Sequence, residues 1–218
     1  MIGVVIAMQS EAQILIDTMQ DVSTQTHNGK IVYVGKAFDK DIALCICGIG
    51  KVNAAIGTQT VIDKFPVTSI LNFGVAGGLN NGTSLCAVYQ IEKAVQFDFD
   101  LTQLNGTKMG TLDEYTENYL PLQTLPLSFP LKKLGTADRF NDSEADYKLL
   151  TQELGADIRD MEGCAMVQTA IYSSMPIYSF KAISDVAGSG STTEQYLQNR
   201  DKALQNLKSV LSQIFACL

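Results

Sequence analysis

Short apolar runs rich in β-branched residues alternate with segments of helical periodicity, and this alternation most restricts the folds open to the chain. The clearest runs are Ile2–Met8, Ser69–Phe73 and Ile177–Ile183, which we predict to be buried strands. Helical patterns lie between them, as at Ser10–Met19 and Lys51–Lys64. Such alternation predicts an α/β fold with three α/β/α layers, in which helices cover both faces of a central mixed, mostly parallel twisted sheet.

The remaining segments fit the same pattern. We expect loops and edge strands at 100–130, where three of the five prolines lie, and a last helix opened by the capping box Ser191-Thr192-Thr193-Glu194. The other predicted elements are a hairpin of Ile31–Phe38 and Ile42–Cys47, a glycine-rich turn at Gly74–Gly78, extended chain at 84–99, a strand at Leu131–Thr136, and helices at Asn141–Leu154 and Gly163–Ser173.

Composition excludes several classes of protein. The 218 residues are 46% hydrophobic, with no linker or repeat, so we expect residues 1–218 to form one domain. A formal net charge of −7 argues against binding to nucleic acid or to anionic membranes. Five cysteines without a CxxC motif indicate reduced thiols in a cytoplasmic protein. No apolar run has the length of a membrane span or the flanks of a signal peptide.

Carboxylates follow two of the apolar runs, at the sheet edge where α/β proteins bind ligands. Glu11 comes just after the first strand, and Asp185 follows Ile177–Ile183 with Ser184 beside it. Because His27 is the single histidine, acid–base chemistry falls to carboxylates, and a His-rich metal site is excluded. Glu11 could accept a proton from water, although its position by itself favours a first-turn helix acid. A protonated Asp185 could donate to a ring nitrogen, and a carboxylate there otherwise needs a partner.

Glu162 and two glycine-rich turns are weaker candidates. Glu162 follows the short predicted strand Asp157–Asp160, where it could accept hydrogen bonds from two ribose hydroxyls or simply favour a helix start. Gly48-Ile49-Gly50-Lys51 and Gly74–Gly78 would let backbone approach a ligand closely, although tight turns also need glycine. Neither turn matches a P-loop or the dinucleotide fingerprint.

Six motifs in order carry a family resemblance that covers nearly the whole chain. They are Ile6-Ala7-Met8-Gln9-Ser10-Glu11, Gly48-Ile49-Gly50-Lys51-Val52-Asn53-Ala54-Ala55, Asn72-Phe73-Gly74-Val75-Ala76-Gly77-Gly78-Leu79, Ala137-Asp138-Arg139-Phe140, Asp160-Met161-Glu162 and Ala182-Ile183-Ser184-Asp185-Val186-Ala187. Together they resemble the bacterial 5′-methylthioadenosine/S-adenosylhomocysteine nucleosidases of the purine nucleoside phosphorylase/uridine phosphorylase superfamily. The resemblance implies a purine nucleoside phosphorylase-like fold, a homodimer, a nucleoside substrate, and hydrolysis without a metal or organic cofactor.

The resemblance also implies roles for individual residues. Asp185 would protonate the departing adenine at N7 and accept a hydrogen bond from its amine, while Glu11 would activate water. The expected ligand contacts are Glu162 and the Met161 backbone on the ribose; Phe140, backbone near Asn141, Ala76 and Gly77 on the adenine; and Met8, Ile49, Val75 and Lys181 around the 5′ group and the water. The start of the last helix, including Tyr196, would fold over the ligand. Plain core packing is the alternative for Phe140, Ile49 and Met161.

Three positions depart from the family pattern. Val75 stands where the family usually has serine, Lys181 where it has arginine, and Phe97-Asp98 where it has a His-Asp pair. These changes leave other activities open: phosphorolysis, hydrolysis of another purine nucleoside such as a futalosine-type or deoxyadenosine derivative, or nucleoside binding without catalysis. A phosphorylase needs a cationic phosphate site, and the chain has only Arg139, Arg159 and Arg200 besides its lysines.

Overall fold

The computed structural model describes residues 1–79 and 82–218. The strands are β1 (Ile2–Ile6), β2 (Gln20–His27), β3 (Lys30–Ala37), β4 (Lys40–Ile46), β5 (Ser69–Gly78), β6 (Val88–Gln96), β7 (Leu120–Pro121), β8 (Leu131–Thr136), β9 (Ile158–Asp160) and β10 (Ile177–Val186). The helices are α1 (Gln9–Ile16), α2 (Lys51–Lys64), α3 (Thr102–Asn105), α4 (Glu144–Lys148), α5 (Gly163–Tyr172) and α6 (Thr192–Ala216).

The strands form one mixed sheet in the order β10-β6-β8-β9-β5-β1-β4-β3-β2, with β7 paired to β6. Strand β10 also pairs with β5, so that β5, β9, β8, β6 and β10 close into a ring. Parallel pairings join β4, β1, β5 and β10, and also β6, β8 and β9. The carboxyl ends of β1, β5 and β10 therefore meet at one edge of the sheet, where α/β proteins place their ligands.

Helices cover the sheet on both sides, which confirms the three-layer α/β/α architecture. On one side α2 and α5 bury Ala54, Val61 and Met166 against the sheet. On the other side α1 packs beside the long helix α6. The apolar face of α6 recurs at helical spacing and buries Leu204, Leu207, Leu211 and Ile214. Within the described ranges, no helix combines the length and apolar composition needed to cross a bilayer.

The predicted turn at Gly74–Gly78 is wrong, because strand β5 continues to Gly78. Pairing with β10 along its length and with β9 at its end holds these glycines extended. Likewise β10 runs on to Val186, so Asp185 lies inside a strand and not after one. The strand β2 was missed because its side chains are polar and mostly exposed, and pairing with β3 alone defines it.

The helix predicted at Asn141–Leu154 begins later and is irregular. Ser143 is its N-cap and accepts a hydrogen bond from Asp146 N, so that α4 starts at Glu144. From Leu149 to Leu154 the chain continues as a π-helix, ended by Gly155 in the left-handed region. Asn141 is therefore free of the helix and lies in the loop that approaches the sheet edge.

Candidate active site

A cavity of about 390 Å³ opens at the carboxyl ends of β1 and β5. A recess of about 30 Å³ adjoins it and shares part of its wall. Five residues line both spaces: Gly77, Phe140, Arg159, Asp160 and Met161. Glu11 lines the cavity and Asp185 lines the recess. The two carboxylates therefore face adjoining parts of one space, whose volume falls in the range of small-molecule sites.

Glu11 is buried and fixed by two backbone donors. Val75 N donates to Glu11 Oε1 at 2.8 Å, and Met8 N donates to Oε2 at 3.2 Å. The second bond is the helix-start contact expected of a first-turn acid, whereas the first ties the side chain to β5. Gly74 permits this approach, because a Cβ there would lie 2.5 Å from Oε1. Burial raises the pKa of Glu11, while the Lys181 charge and the two backbone bonds oppose the shift.

Asp185 owes its direction to a β-bulge. Ile183 pairs with Ala76 and Asp185 pairs with Gly77, so Ser184 is an extra residue in the ladder. A bulge of this kind turns the next side chain toward the opposite face of the strand. Ser184 Oγ donates to Asp185 Oδ2 at 2.8 Å. Burial raises the pKa of Asp185, and the Ser184 bond and the Arg159 charge act in the opposite direction.

Glu162 lies at the N-cap of α5 with its side chain turned toward the cavity. Its Oε1 accepts a hydrogen bond of 2.9 Å from Gly50 N, which links two motifs separated by 112 residues. Burial, and then repulsion from Asp160, raise the pKa of Glu162 to about 7; the Gly50 bond and Lys181 oppose them. Met161, next to Glu162, lines both the cavity and the recess.

Lys181 lies beneath the cavity and is not among the residues described as lining it. Its Nζ is 2.9 Å from Asp160 Oδ2, and each side chain is only 3% exposed. Burial opposes the charge on Lys181, but Asp160, Glu162 and Glu11 outweigh it and raise the pKa of the amine. The lysine thus acts as the shared counter-ion of three carboxylates.

Most of the residues predicted to bind the purine ring lie around the recess. Phe140 is 49% exposed and presents its ring to both spaces, and buried Ala76 precedes Gly77 on β5. Asn141 lines the recess, but its side chain bonds Asp146 Oδ2 and Ser143 N within its own loop. These two bonds hold the Asn141 side chain against its own segment, and contact of the nearby backbone with a ligand stays a prediction.

The outer part of the cavity is apolar. Met8, Ile49 and Val75 line it together with Tyr196 and Leu197 from α6. Residues that reasoning from the sequence missed are Ala7, Arg159, Asp160, Thr193 and Leu197. Arg159 and Asp160 could have been predicted from the sequence, because they end the short strand that precedes Glu162.

Helix α6 is fastened over the cavity by its first turn. Gln195 exchanges two hydrogen bonds with the backbone of Val186 at the end of β10. Tyr196 then packs edge-on against Phe140, with ring centroids 5.9 Å apart, and its hydroxyl lies 3.9 Å from Met8 Sδ. Tyr196 therefore lies beside Phe140 and Met8 at the apolar end of the cavity, and its role over a ligand stays a prediction.

Among residues 1–79 and 82–218, no group of three or more His, Cys, Asp or Glu side chains is arranged to hold a metal ion. The polar side chains that line the cavity belong to Glu11, Asp160, Glu162, Arg159, Thr193 and Tyr196. The arrangement offers two carboxyl groups with raised pKa, one as a proton donor and one as a base, and a third to accept hydroxyl hydrogens.

Comparison with known proteins identifies the family and the fold. The family model for the phosphorylase superfamily matches residues 1–216. A 5′-methylthioadenosine/S-adenosylhomocysteine nucleosidase of Listeria welshimeri is 31% identical over 212 residues, covering 88% of both chains. Solved structures at under 25% identity share the fold. The Colwellia psychrerythraea nucleosidase with adenine has a TM-score of 0.90 at 24% identity, covering 99% of this chain and 95% of its own. The futalosine hydrolase of Helicobacter pylori has a TM-score of 0.90 at 22% identity, covering 100% and 97%.

Proposed function

This chain belongs to the 5′-methylthioadenosine/S-adenosylhomocysteine nucleosidase family of the phosphorylase superfamily, and we propose that it hydrolyses the N-glycosidic bond of 5′-thioadenosine derivatives to release adenine. One observation carries the proposal: Glu11 and Asp185 are buried carboxyl groups with raised pKa that face adjoining parts of one cavity. Two such groups supply the acid and the base that the reaction needs.

The reaction breaks the bond between the ribose C1′ and the purine N9. Asp185 donates its proton to N7, so the electron pair of the broken bond is taken up by a neutral base. The ribose then carries positive charge, and water attacks C1′ while Glu11 accepts its proton. This is the two-carboxylate logic of an inverting glycosidase applied to a C–N bond. Each group supplies about 10²–10⁴ in rate.

Glu162 supports the same reaction from the ribose side. Its free oxygen can accept hydrogen bonds from the ribose hydroxyls, while Oε1 is held by Gly50 N. An ionised carboxylate at that position also stabilises the developing cation. The apolar surround of Met8, Ile49 and Tyr196 suits a 5′-alkylthio group, which has no hydrogen-bond donors to satisfy.

Hydrolysis is favoured over phosphorolysis by the charges near Glu11. The cation there is Lys181, which is buried and paired with Asp160. Arg159 stands at the base end beside Asp185, and Arg139 pairs with Asp146 at 3.3 Å. A phosphate dianion would therefore meet Glu11 without a dedicated cluster of donors in the part of the chain that the structure describes.

We propose further that two copies of this chain associate through α2. Val52 and Ile56 are exposed by 71% and 39% and lie four residues apart on one face of α2, and Ile49, 51% exposed, lies just before the helix. Ile49 also lines the cavity, so a second copy seated on this face would close its open side. Burial of such an apolar stripe is the usual driving force of association.

An adenine-release assay with purified protein tests the function. Methylthioadenosine, adenosylhomocysteine, adenosine and inosine are each supplied with and without phosphate. We expect phosphate-independent adenine release from the two thioether substrates. Asp185→Asn and Glu11→Gln should each lower kcat by about 10²–10⁴ while methylthioadenosine still binds in calorimetry. Near-normal turnover by either variant removes the role assigned to that residue, and turnover that needs phosphate removes hydrolysis.

A further inference from the structure

Arg159, Gly77 and Asp185 form one row across three strands. Gly77 on β5 is the register partner of Asp185 on β10 and of Arg159 on β9. A Cβ on Gly77 would lie 2.9 Å from Asp185 Oδ1 and 3.1 Å from Arg159 Nε. The glycine therefore lets an arginine and an aspartate lean toward each other over the same stretch of backbone.

Neither of the two facing atoms has a hydrogen-bond partner. Arg159 Nη2 and Asp185 Oδ1 are 3.8 Å apart, which is close enough for an ion pair but too long for a hydrogen bond. Both atoms are buried and unpartnered within the described residues. Only 11% of the Arg159 side chain and 1% of the Asp185 side chain are exposed. Buried polar groups are normally paired, and both residues line the recess, where the edge of a ligand could bond to both atoms.

The edge of a purine that carries N7 distinguishes two classes of base. A 6-oxopurine presents two neighbouring acceptors there, N7 and O6, whereas adenine presents the N7 acceptor beside an amine donor. A protonated Asp185 donates to N7 of either base. Arg159 Nη2 is then a second donor near position 6, and it is matched by O6 but not by the adenine amine. Arginine beside an N7/O6 edge is the commonest specific reader of that pattern.

We propose that Arg159 is a specificity-determining residue that extends the base subsite to 6-oxopurines, so that the enzyme releases hypoxanthine from 5′-thioinosine derivatives as well as adenine from 5′-thioadenosine derivatives. The inference rests on the proposed function for its chemistry, but the base preference itself depends only on the pair at the recess. Asp185 serves both bases as the acid, and Arg159 decides how well the oxo base competes.

Two matched substrates that differ only at C6, 5′-methylthioadenosine and 5′-methylthioinosine, test the proposal. We expect the wild-type kcat/KM for the inosine compound to lie within about tenfold of that for the adenosine compound. Arg159→Met keeps the aliphatic part of the side chain and removes the guanidinium donors. It should lower kcat/KM for 5′-methylthioinosine by about tenfold to a hundredfold relative to kcat/KM for 5′-methylthioadenosine. Arg159→Lys should restore part of the loss. Lys36→Met, at an exposed lysine of β3, is the charge control and should leave the ratio unchanged.

Calorimetry with free hypoxanthine and adenine separates this inference from the proposed function. Wild-type protein should bind both bases, and Arg159→Met should weaken hypoxanthine selectively. If methylthioadenosine is hydrolysed, but free hypoxanthine does not bind and is not released from 5′-methylthioinosine, the 6-oxopurine proposal is overturned and the proposed function stands. If hypoxanthine binds through Arg159 while no nucleoside is hydrolysed, the proposed function falls and the base preference stands. An equal loss for both bases in Arg159→Met also overturns the inference.

Discussion

Lys181 and Asp160 form a buried ion pair beneath the cavity, with Nζ 2.9 Å from Oδ2 and 3% of each side chain exposed. The pair joins β10 to β9, and Asp160 itself lines the cavity. Burial raises the pKa of Glu11 and of Glu162. The charge on Lys181 is the main opposing cause at Glu11, and at Glu162 it adds to the opposing effect of the Gly50 bond. The stability of the fold and the charge state of the site therefore depend on the same lysine.

We expect Lys181→Met to destabilise the protein by about 3–5 kcal/mol, since it leaves Asp160 buried without its partner. Urea unfolding measures the loss. Lys181→Arg should lose much less, because the charge remains. Adding Asp160→Asn to Lys181→Met should recover part of the stability, as expected when an uncompensated charge is neutralised. If Lys181→Met unfolds at the same urea concentration as wild type, the ion pair contributes little to stability.

Gly74→Ala should reduce turnover through Glu11. The new Cβ would lie 2.5 Å from Glu11 Oε1, so the carboxylate must leave its bond with Val75 N. We expect kcat to fall by about tenfold or more, since small displacements of a catalytic group are costly. In the double variant with Glu11→Gln, Gly74→Ala should add no further loss. A full additive loss would place its effect elsewhere.

Glu162 should give substrate binding a dependence on pH near neutrality. The pKa of this carboxyl is raised from 4.5 to about 7, and only the ionised form can accept hydrogen bonds from both ribose hydroxyls. KM for methylthioadenosine should therefore rise as the pH falls below about 7, and a 2′-deoxy analogue should show a smaller rise. The prediction fails if Glu162→Gln leaves the pH dependence of KM intact.

The same raised pKa affects stability with a definite sign. Between pH 4.5 and about 7 the folded protein binds more protons at Glu162 than the unfolded chain does. The contribution is fully present below pH 4.5 and is lost as the pH rises through about 7. The contribution of Glu162 to the free energy of unfolding therefore declines as the pH rises through this range. Glu162→Gln should flatten the decline measured by urea unfolding at pH 5, 6 and 7, and an unchanged slope would contradict the assignment.

Val75→Ser should improve turnover modestly. Val75 lines the cavity next to Glu11, and a hydroxyl there could bond a ribose oxygen or the attacking water. One such bond is worth about 0.5–1.5 kcal/mol, so kcat/KM should rise about two- to tenfold. Val75→Ala is the control for volume without the hydroxyl. Unchanged kinetics in the serine variant would show that the hydroxyl is dispensable in this chain.

Val52→Glu should yield a monomer in light scattering. Val52 is 71% exposed on the α2 face, and a buried unpaired carboxylate at an interface opposes association. Activity toward methylthioadenosine should fall with the loss of the second copy, because the cavity edge at Ile49 is left open. Val22→Glu, at an exposed valine on β2, is the matched control. Association that survives Val52→Glu would move the interface away from α2.

Local sequence was sufficient to predict the positions of helices and strands with a clear hydrophobic periodicity and clear end signals. The helix Lys51–Lys64, the strand Leu131–Thr136 and the capped start of α6 lie where the pattern predicts them. Packing of one face against the sheet and a side-chain cap are encoded within a few neighbouring residues. The glycines after Phe73 predicted a turn because nothing local shows that strands on both sides will hold them extended.

The sequence by itself determined the alternation of strands and helices, the carboxylates available for acid–base chemistry and the family they resemble. Tertiary structure alone decided that Glu11 and Asp185 meet at one space, because a bulge at Ser184 and the glycine at position 74 set their directions. It also decided that Arg159 faces Asp185 across Gly77. Those contacts join residues far apart in the chain, and register and burial, which no local pattern contains, fix them.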